Sequence, residues 1–237
     1  LEVEGRVVAP YASALSALVE DEMKLGVTLI DMGGGTTSIA VFFDGELVHA
    51  DCIAVGGGNV TNDIARGLST PVQHAERMKT LYGNCMPSPS DDLEVIKVPL
   101  IGEEQTGETN PVPRSMLVGI IRPRIEETLE LVRDRLHGAG FEKLSGPRVV
   151  LTGGASLLPG VREMAGEILG KAQVRMAKPR YLEGMAEAAC GPQFSTCAGL
   201  ISHSLESSGE ISGRTYRPKE QAGTRLGRIG QWLRDNF

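Results

Sequence analysis

Residues 29–42, LIDMGGGTTSIAVF, decide how the rest of this chain is read. An apolar run ends at Asp31, three glycines follow, and a second apolar run begins at Ser38, so the stretch reads as strand, glycine turn, strand. Without a Cβ on Gly33, Gly34 and Gly35, successive backbone N–H groups can turn toward one anion, and phosphate oxygens can approach the main chain closely. Asp31, at the strand end, is placed to orient a hydrated Mg²⁺, a hard cation that keeps most of its waters. The Thr36 and Thr37 hydroxyls are placed to donate to phosphate. The plainer alternative is a glycine-rich hairpin turn that binds nothing.

Working outward, the pattern predicts strands over 27–31, 38–43 and 46–55. The last two are joined by Asp44-Gly45, a strong hairpin signal, which makes an antiparallel meander. Upstream, 10–24 reads as one helix, with Pro10 in its first turn and Ala14, Leu15, Leu18 and Val19 at helical spacing. Downstream, 59–67 and 71–82 read as helices. A turn-rich stretch with Pro87, Pro89, Gly102, Gly107, Pro111 and Pro113 reads as surface loop around one short strand over 93–98. Residues 115–137 carry Leu117, Ile121, Ile125, Leu129, Val132 and Leu136 at three-to-four spacing, the apolar stripe of a long helix, with Pro123 as a kink site and Gly138 and Gly140 as its stop. A buried strand over 148–151, a tight turn at Gly153-Gly154 and a helix over 157–169 complete a core that ends near His203.

Thr152-Gly153-Gly154-Ala155-Ser156 repeats the logic of the first glycine turn on a strand-to-helix junction. There, amides at the helix start and the helix dipole favour an anion or a flat, close-packed ligand. Tight strand-to-helix packing is the alternative. Two glycine turns at the ends of adjacent core strands can face a single nucleotide from two sides, so the pair says more than either alone.

Composition narrows the classes further. The 237 residues hold 24 basic and 30 acidic side chains for a net charge of -6, which argues against a broad nucleic-acid footprint. No run approaches the ~18 to 20 consecutive apolar residues of a bilayer-spanning helix, so membrane contact must be made from the surface. Cys52, Cys85, Cys190 and Cys197 form no CxxC pair and have no cluster of histidines around them, which points to a reduced compartment and to no metal held by thiols. The sequence opens at Leu1 with no initiator Met and no secretory pattern, and is read as a fragment.

Residues 206–223 are mostly polar, with little to bury, and read as a flexible linker. Beyond it, at 100° per residue, Leu226, Ile229, Leu233 and Phe237 fall within a sector of roughly 80° flanked by Trp232, with Arg225, Arg228 and Arg234 on the remainder. So short a basic amphipathic helix is marginal in water. Each large apolar side chain it buries in an interface is worth ~1.5 to 3 kcal/mol, and each Arg near an anionic leaflet about 1 kcal/mol. Membrane binding is thus able to drive its folding; docking back on the chain's own core is the alternative.

These motifs carry a resemblance. LIDMGGGTTSIAVF resembles the second phosphate loop of the actin, heat-shock chaperone and sugar kinase superfamily, and VVLTGGASLLPG resembles its adenosine loop. Between them, GGGNVTNDIARGLSTPVQHAERMKTLYG is similar to the FtsA family of bacterial cell-division proteins. The resemblance runs from about Val7 to the last residue and matches only the second half of that family. It implies an α/β fold: an actin-like, ribonuclease H-like mixed sheet with flanking helices (residues 1–59 and 147–205) and a smaller inserted α/β subdomain (60–146), followed by a linker (206–222) and a membrane-targeting helix (223–237).

By the same resemblance Asp31, Gly33, Gly34, Gly35 and Thr36 would meet the phosphates and Mg²⁺ of ATP, and Gly153 and Gly154 would pack on the adenosine. Glu76 and Lys79, spaced i,i+3 on one helix face, match the ExxK pair that reaches ribose and base; a solvent-exposed ion pair is the alternative. Relatives often carry Asn where this chain has Gly58. The other half of the nucleotide site has no counterpart, so this chain alone is expected to bind ATP poorly. No residue is assigned as a general base, and the activity implied is at most a weak ATPase. The partners implied are the tail of the tubulin-like FtsZ, received by the inserted subdomain with Arg114 and Arg124 at matching basic positions, further copies in an actin-like filament, and the cytoplasmic face of the inner membrane at the septum. The second reading, an ATPase or phosphotransferase such as a pilus-assembly ATPase or a sugar kinase, has no use for a basic C-terminal helix.

Overall fold

The predicted meander is present. In the computed structural model, which describes residues 3, 5–103, 109–141, 146, 148–171, 173–180 and 182–211 (206–211 as backbone only), helices α1 (Ala9–Ala17) and α2 (Glu20–Leu25) precede three antiparallel strands, β1 (Val27–Met32), β2 (Thr37–Phe43) and β3 (Glu46–Ile53). Asp44 and Gly45 both have positive φ, 54° and 84°, the geometry of the tight turn whose twist matches the strands it joins. Then come α3 (Gly57–Gly67), α4 (Val72–Tyr82), β4 (Val95–Pro99), β5 (Thr109–Pro113), α5 (Arg114–Gly138), β6 (Arg148–Thr152), α6 (Val161–Leu169), β7 (Gln173–Met176) and α7 (Ser195–Ile211).

The main sheet runs in the order β3-β2-β1-β6-β7. Its β1–β2–β3 portion is antiparallel, and β6 and β7 run parallel to β1. The sheet is therefore mixed, with helices flanking it, as expected. Side-chain alternation splits the core across its two faces. Leu29, Ala40, Phe42 and Val150 pack with Ala14, Ala17 and Leu18 on one side, while Ile30, Ile39, Val149 and Leu151 pack with Ile125, Val132 and Met164 on the other. That second cluster continues without interruption to Ile96, Val98 and Val112 of the small β4–β5 ribbon, so one core supports both sheets. The described residues up to His203 form one compact unit.

Four expectations are corrected. The helix expected over 10–24 is two helices, because Leu18 and Val19 are extended, with ψ of 155° and 156°. Leu18 is fully buried there, and the freed groups find partners: Arg175 and Arg180 donate to the Ala17 and Leu15 carbonyls, and the Val19 amide donates to Glu22, which ends one helix and starts the next. The proline-rich stretch is not all loop. Pro111 and Pro113 lie in β5, where a two-stranded ribbon leaves every other backbone N–H unpaired and a missing donor costs little. The helix expected over 157–169 begins only at Val161; a single 3₁₀ turn, Gly154–Leu157, follows β6 instead. Residues 206–211, expected as the start of a linker, continue the backbone of α7 instead, and the rest of the expected linker lies outside the described residues.

Candidate functional site

Parallel pairing of β1 with β6 sets Asp31 opposite Thr152, so the turns that follow, Gly33–Thr36 and Gly153–Gly154, leave the sheet side by side at the carboxyl ends of neighbouring strands. In open α/β sheets this is where ligands bind. A third glycine stretch, Gly56-Gly57-Gly58, enters α3 directly against the first. The Gly57 amide donates to the Gly33 carbonyl at 2.9 Å and the Gly58 amide to that of Gly34 at 2.7 Å. A Cβ on Gly56 would lie 2.6 Å from the Gly33 oxygen and 2.7 Å from the Gly34 oxygen, so only glycine permits this backbone-on-backbone contact. Gly153 is equally constrained: its φ is +86°, and a Cβ there would sit 2.4 Å from both Asp31 Oδ1 and the Met32 carbonyl.

Between these turns opens a cavity of about 520 Å³, within the size range of small-molecule sites. Gly33, Gly34 and Gly154 form one part of its wall, Glu76 and Lys79 another, and Val60, Ile125, Leu158 and Pro159 give it an apolar side. The Gly34 and Gly35 amides donate to no acceptor among the described residues, whereas the first amides of α3 are committed to Gly33 and Gly34. In the first glycine turn, Gly34 and Gly35 thus keep their N–H groups available to an anion, while Gly33 donates to the Thr36 carbonyl at 2.8 Å. The helix-dipole expectation for Gly153–Gly154 is not met, because one turn of 3₁₀ helix stands where an α-helix N-terminus was expected.

Lys79 is the cation of this wall. Its side chain is 15% exposed, and Nζ lies 2.7 Å from Glu76 Oε2, 2.8 Å from Thr61 Oγ1 and 3.1 Å from the Gly57 carbonyl. Three acceptors for three N–H donors hold the ammonium in one place. Thr61 also donates to Glu76. Burial works to raise the Glu76 carboxyl, but its hydrogen bonds from Lys79 and Thr61 and the Lys79 charge outweigh that and hold it below its ordinary value. The pair is accordingly a fixed element of the cavity wall, tied to the third glycine stretch through Gly57.

The remaining expected site residues lie as follows. Asp31 is half-buried outside the cavity wall, its Oδ2 lying 2.5 Å from the Ser13 hydroxyl and 3.1 Å from that of Thr196. Gly35 and Thr36 are exposed at the tip of the turn. Thr37 is fully buried and donates its hydroxyl to the Val55 carbonyl at 2.8 Å, so its proton is spent inside the protein. Arg114 donates to the Tyr82 carbonyl at 2.8 Å and pairs with Asp91 and Glu94 at 3.2 Å each. Arg124 grips Asp63 through two nitrogens and also pairs with Glu127; Asp63 raises its pKa further, by hydrogen bonding and by charge. Both arginines are thereby engaged within this chain. Leu226, Ile229, Trp232, Leu233, Phe237, Arg225, Arg228 and Arg234 lie outside the described residues.

Several wall residues went unread in the sequence. Gly57 was visible as part of a second glycine triplet after a strand, but Thr61, Leu158 and Gln193 reach the site only through tertiary packing. Among the described residues no group of three His, Cys, Asp or Glu side chains could hold a metal ion, and no helix is long and apolar enough to cross a membrane.

Comparison with known proteins bears on this arrangement. The model of the family described as "Cell division protein FtsA" matches residues 28–199. The chain is 48% identical over its whole length to the cell division protein FtsA of Rhizobium meliloti, of which it covers 54%, and 37% identical to that of Pseudomonas aeruginosa, of which it covers 57%. It spans about half the length of these relatives. Among solved structures it resembles MreB5 of Spiroplasma citri bound to ADP, with a TM-score of 0.66 at 18% identity over 87% of this chain and 61% of that one. It also resembles a chain of the PilM–PilN type IV pilus biogenesis complex, with a TM-score of 0.61 at 20% identity over 84% of this chain and 52% of that one. The fold is actin-like, and this chain belongs to the FtsA family of cell division proteins.

Proposed function

We propose that this chain supplies one side of an ATP site in a cell-division adaptor that polymerises and tethers FtsZ filaments to the cytoplasmic face of the inner membrane. The observation that carries the nucleotide part is the convergence of three glycine turns around one cavity whose wall also holds the Glu76–Lys79 pair. The free Gly34 and Gly35 amides would hold phosphate oxygens, Lys79 and Glu76 would take the ribose, and the apolar side formed by Val60, Ile125, Leu158 and Pro159 would cover a flat base. When bound, Mg–ATP would bring a multiply charged, cleavable anhydride that tells one state of the adaptor from another. Asp31, with two hydroxyls around one carboxylate oxygen, would orient the hydration shell of the Mg²⁺. The cavity wall holds one Lys against one Glu, so most of the phosphate charge must be met by backbone amides, by the metal and by residues outside this chain.

The tethering part rests on the arginine-edged apolar sector of residues 225–237 and on family membership. A single short helix attaches reversibly, and linkage of many copies in a filament multiplies its hold. FtsZ would be received on the portion built from β4, β5 and the helices around them, with Arg114 and Arg124 keeping that surface in shape through the ion pairs described above. Sedimentation with anionic liposomes tests the proposal: removal of residues 223–237 should move the protein from pellet to supernatant, and equal pelleting with and without them would end the membrane reading. Parallel titration of Mg–ATP into the protein with both halves present should show binding lost on Gly34→Val.

A further inference from the structure

A second cavity, of about 340 Å³, opens at the opposite end of the parallel strands, where β6 and β7 begin, and is lined by Glu22, Arg148, Arg162, Gln173, Val174 and Arg175. Three guanidinium groups face one carboxylate. Arg175 is committed: it grips Glu22 through Nε and Nη2 at 2.6 and 2.5 Å and donates to the Ala17 carbonyl at 2.9 Å. The Glu22 carboxyl feels burial, which raises it, and against that the Arg175 and Val19 hydrogen bonds and the charges of Arg175 and Arg148, which together hold it below its ordinary value. That pair is neutral overall, so Arg148 and Arg162 leave the cleft with two surplus positive charges.

Each of these two is anchored through Nε alone. Arg148 Nε donates to Gln173 Oε1 at 2.9 Å, and Arg162 Nε donates at 2.9 Å to the Val174 carbonyl, which β7 presents because it is the edge strand. The terminal NH₂ groups of both meet no acceptor among the described residues. A guanidinium held by Nε offers its remaining N–H donors as a fixed fork, the geometry that matches tetrahedral oxyanions, and fixing it beforehand removes much of the entropy lost on binding.

We propose that this arginine-walled cleft binds a phosphomonoester group. A phosphomonoester carries about -1.5 to -2 charges at neutral pH, which matches the surplus of two, whereas a carboxylate would neutralise only half of it. The cavity is larger than a phosphate needs, which leaves room for whatever the phosphate is attached to. The same headgroup chemistry occurs in water-soluble phosphate esters and in phosphatidic acid at a membrane surface. The cleft lies at the other end of the strands from the nucleotide cavity, and the proposal does not rest on that site.

The test uses the full chain and two probes: glycerol 3-phosphate titrated in solution, and vesicles of phosphatidylcholine with and without phosphatidic acid. Arg148→Gln and Arg162→Gln are compared with the unsubstituted protein, with the melting temperature measured for each; Arg175 is left in place because it holds Glu22. The result expected is saturable binding of about millimolar affinity or tighter, weakened about tenfold or more by either substitution in proteins that melt normally. Loss of glycerol 3-phosphate binding assigns a soluble ester, and a loss confined to phosphatidic acid vesicles assigns a lipid headgroup. Arg148→Lys, which keeps the charge and gives up the fork, should recover only part of the affinity. Binding of both probes that is absent, or unchanged by both glutamine substitutions, overturns the proposal.

Discussion

Gly56→Ala tests most sharply whether the glycine turns are welded into one floor. The backbone at Gly56 is extended, with φ of -156°, so alanine meets no conformational penalty and the whole effect is steric. The new methyl carbon would lie 2.6 Å from the Gly33 oxygen, 2.7 Å from the Gly34 oxygen and 2.8 Å from the Gly34 carbonyl carbon. All three are backbone atoms in a turn pinned between β1 and β2, so none can swing aside. Separating the turns stretches the hydrogen bonds from Gly57 to Gly33 and from Gly58 to Gly34, worth about 1 kcal/mol each, and forced overpacking adds about 1 to 3 kcal/mol. The expected loss is about 3 to 5 kcal/mol, read as a lower urea midpoint at unchanged slope. A loss below about 1 kcal/mol would refute the reasoning, because it would mean that the two turns separate freely.

Other substitutions divide fold from site. Gly34→Ala places its Cβ in open space and should leave stability within about 0.5 kcal/mol while weakening nucleotide binding; a large stability loss would contradict that geometry. Lys79→Met should release Thr61 and the Gly57 carbonyl and weaken nucleotide binding about tenfold or more, as expected for one charged hydrogen bond; unchanged affinity would remove Lys79 from the site. Cys85 is fully buried and its thiol is pushed up to about 12, chiefly by that burial, so a thiol reagent at mildly alkaline pH should modify exposed Cys52 and Cys197 at once and Cys85 only in denaturant. Glu22 is held below its ordinary 4.5 by Arg175 and the Val19 amide against the opposing effect of burial. Its contribution to stability is therefore complete above that value and is lost as pH falls through the lower folded value. The stability gap between the unsubstituted chain and Glu22→Gln should shrink on acidification, and a gap independent of pH would show that the pair is not coupled to folding.

The elements governed by local pattern were legible. The strand periodicity of 27–53, the Asp44-Gly45 turn and the apolar stripe of α5 each express a preference set within a few residues, and each reappears with its boundaries moved by one or two positions. The breaks were not legible. Leu18–Val19 leaves the helix because Arg175 and Arg180, more than 150 positions away, satisfy the carbonyls that a continued helix would have used. β5 was hidden by its prolines, which only the unpaired edges of a two-stranded ribbon excuse.

The candidate site divides in the same way. Gly33, Gly34, Gly154, Glu76 and Lys79 line the cavity because strand ends and helix faces are local facts. Thr37 misled because its buried side chain reaches Val55 across the sheet. Arg114 and Arg124 carry no mark in the sequence of the acidic partners, Asp91 and Asp63, that engage them.

Hydrogen–deuterium exchange of the protein with both halves present, with and without saturating Mg–ATP, tests the central claim most directly. Slowed exchange concentrated in segments 33–36, 56–61 and 153–159 is the result predicted, since these three segments close on one cavity. Exchange in those segments unchanged by nucleotide, with protection elsewhere or nowhere, would contradict it.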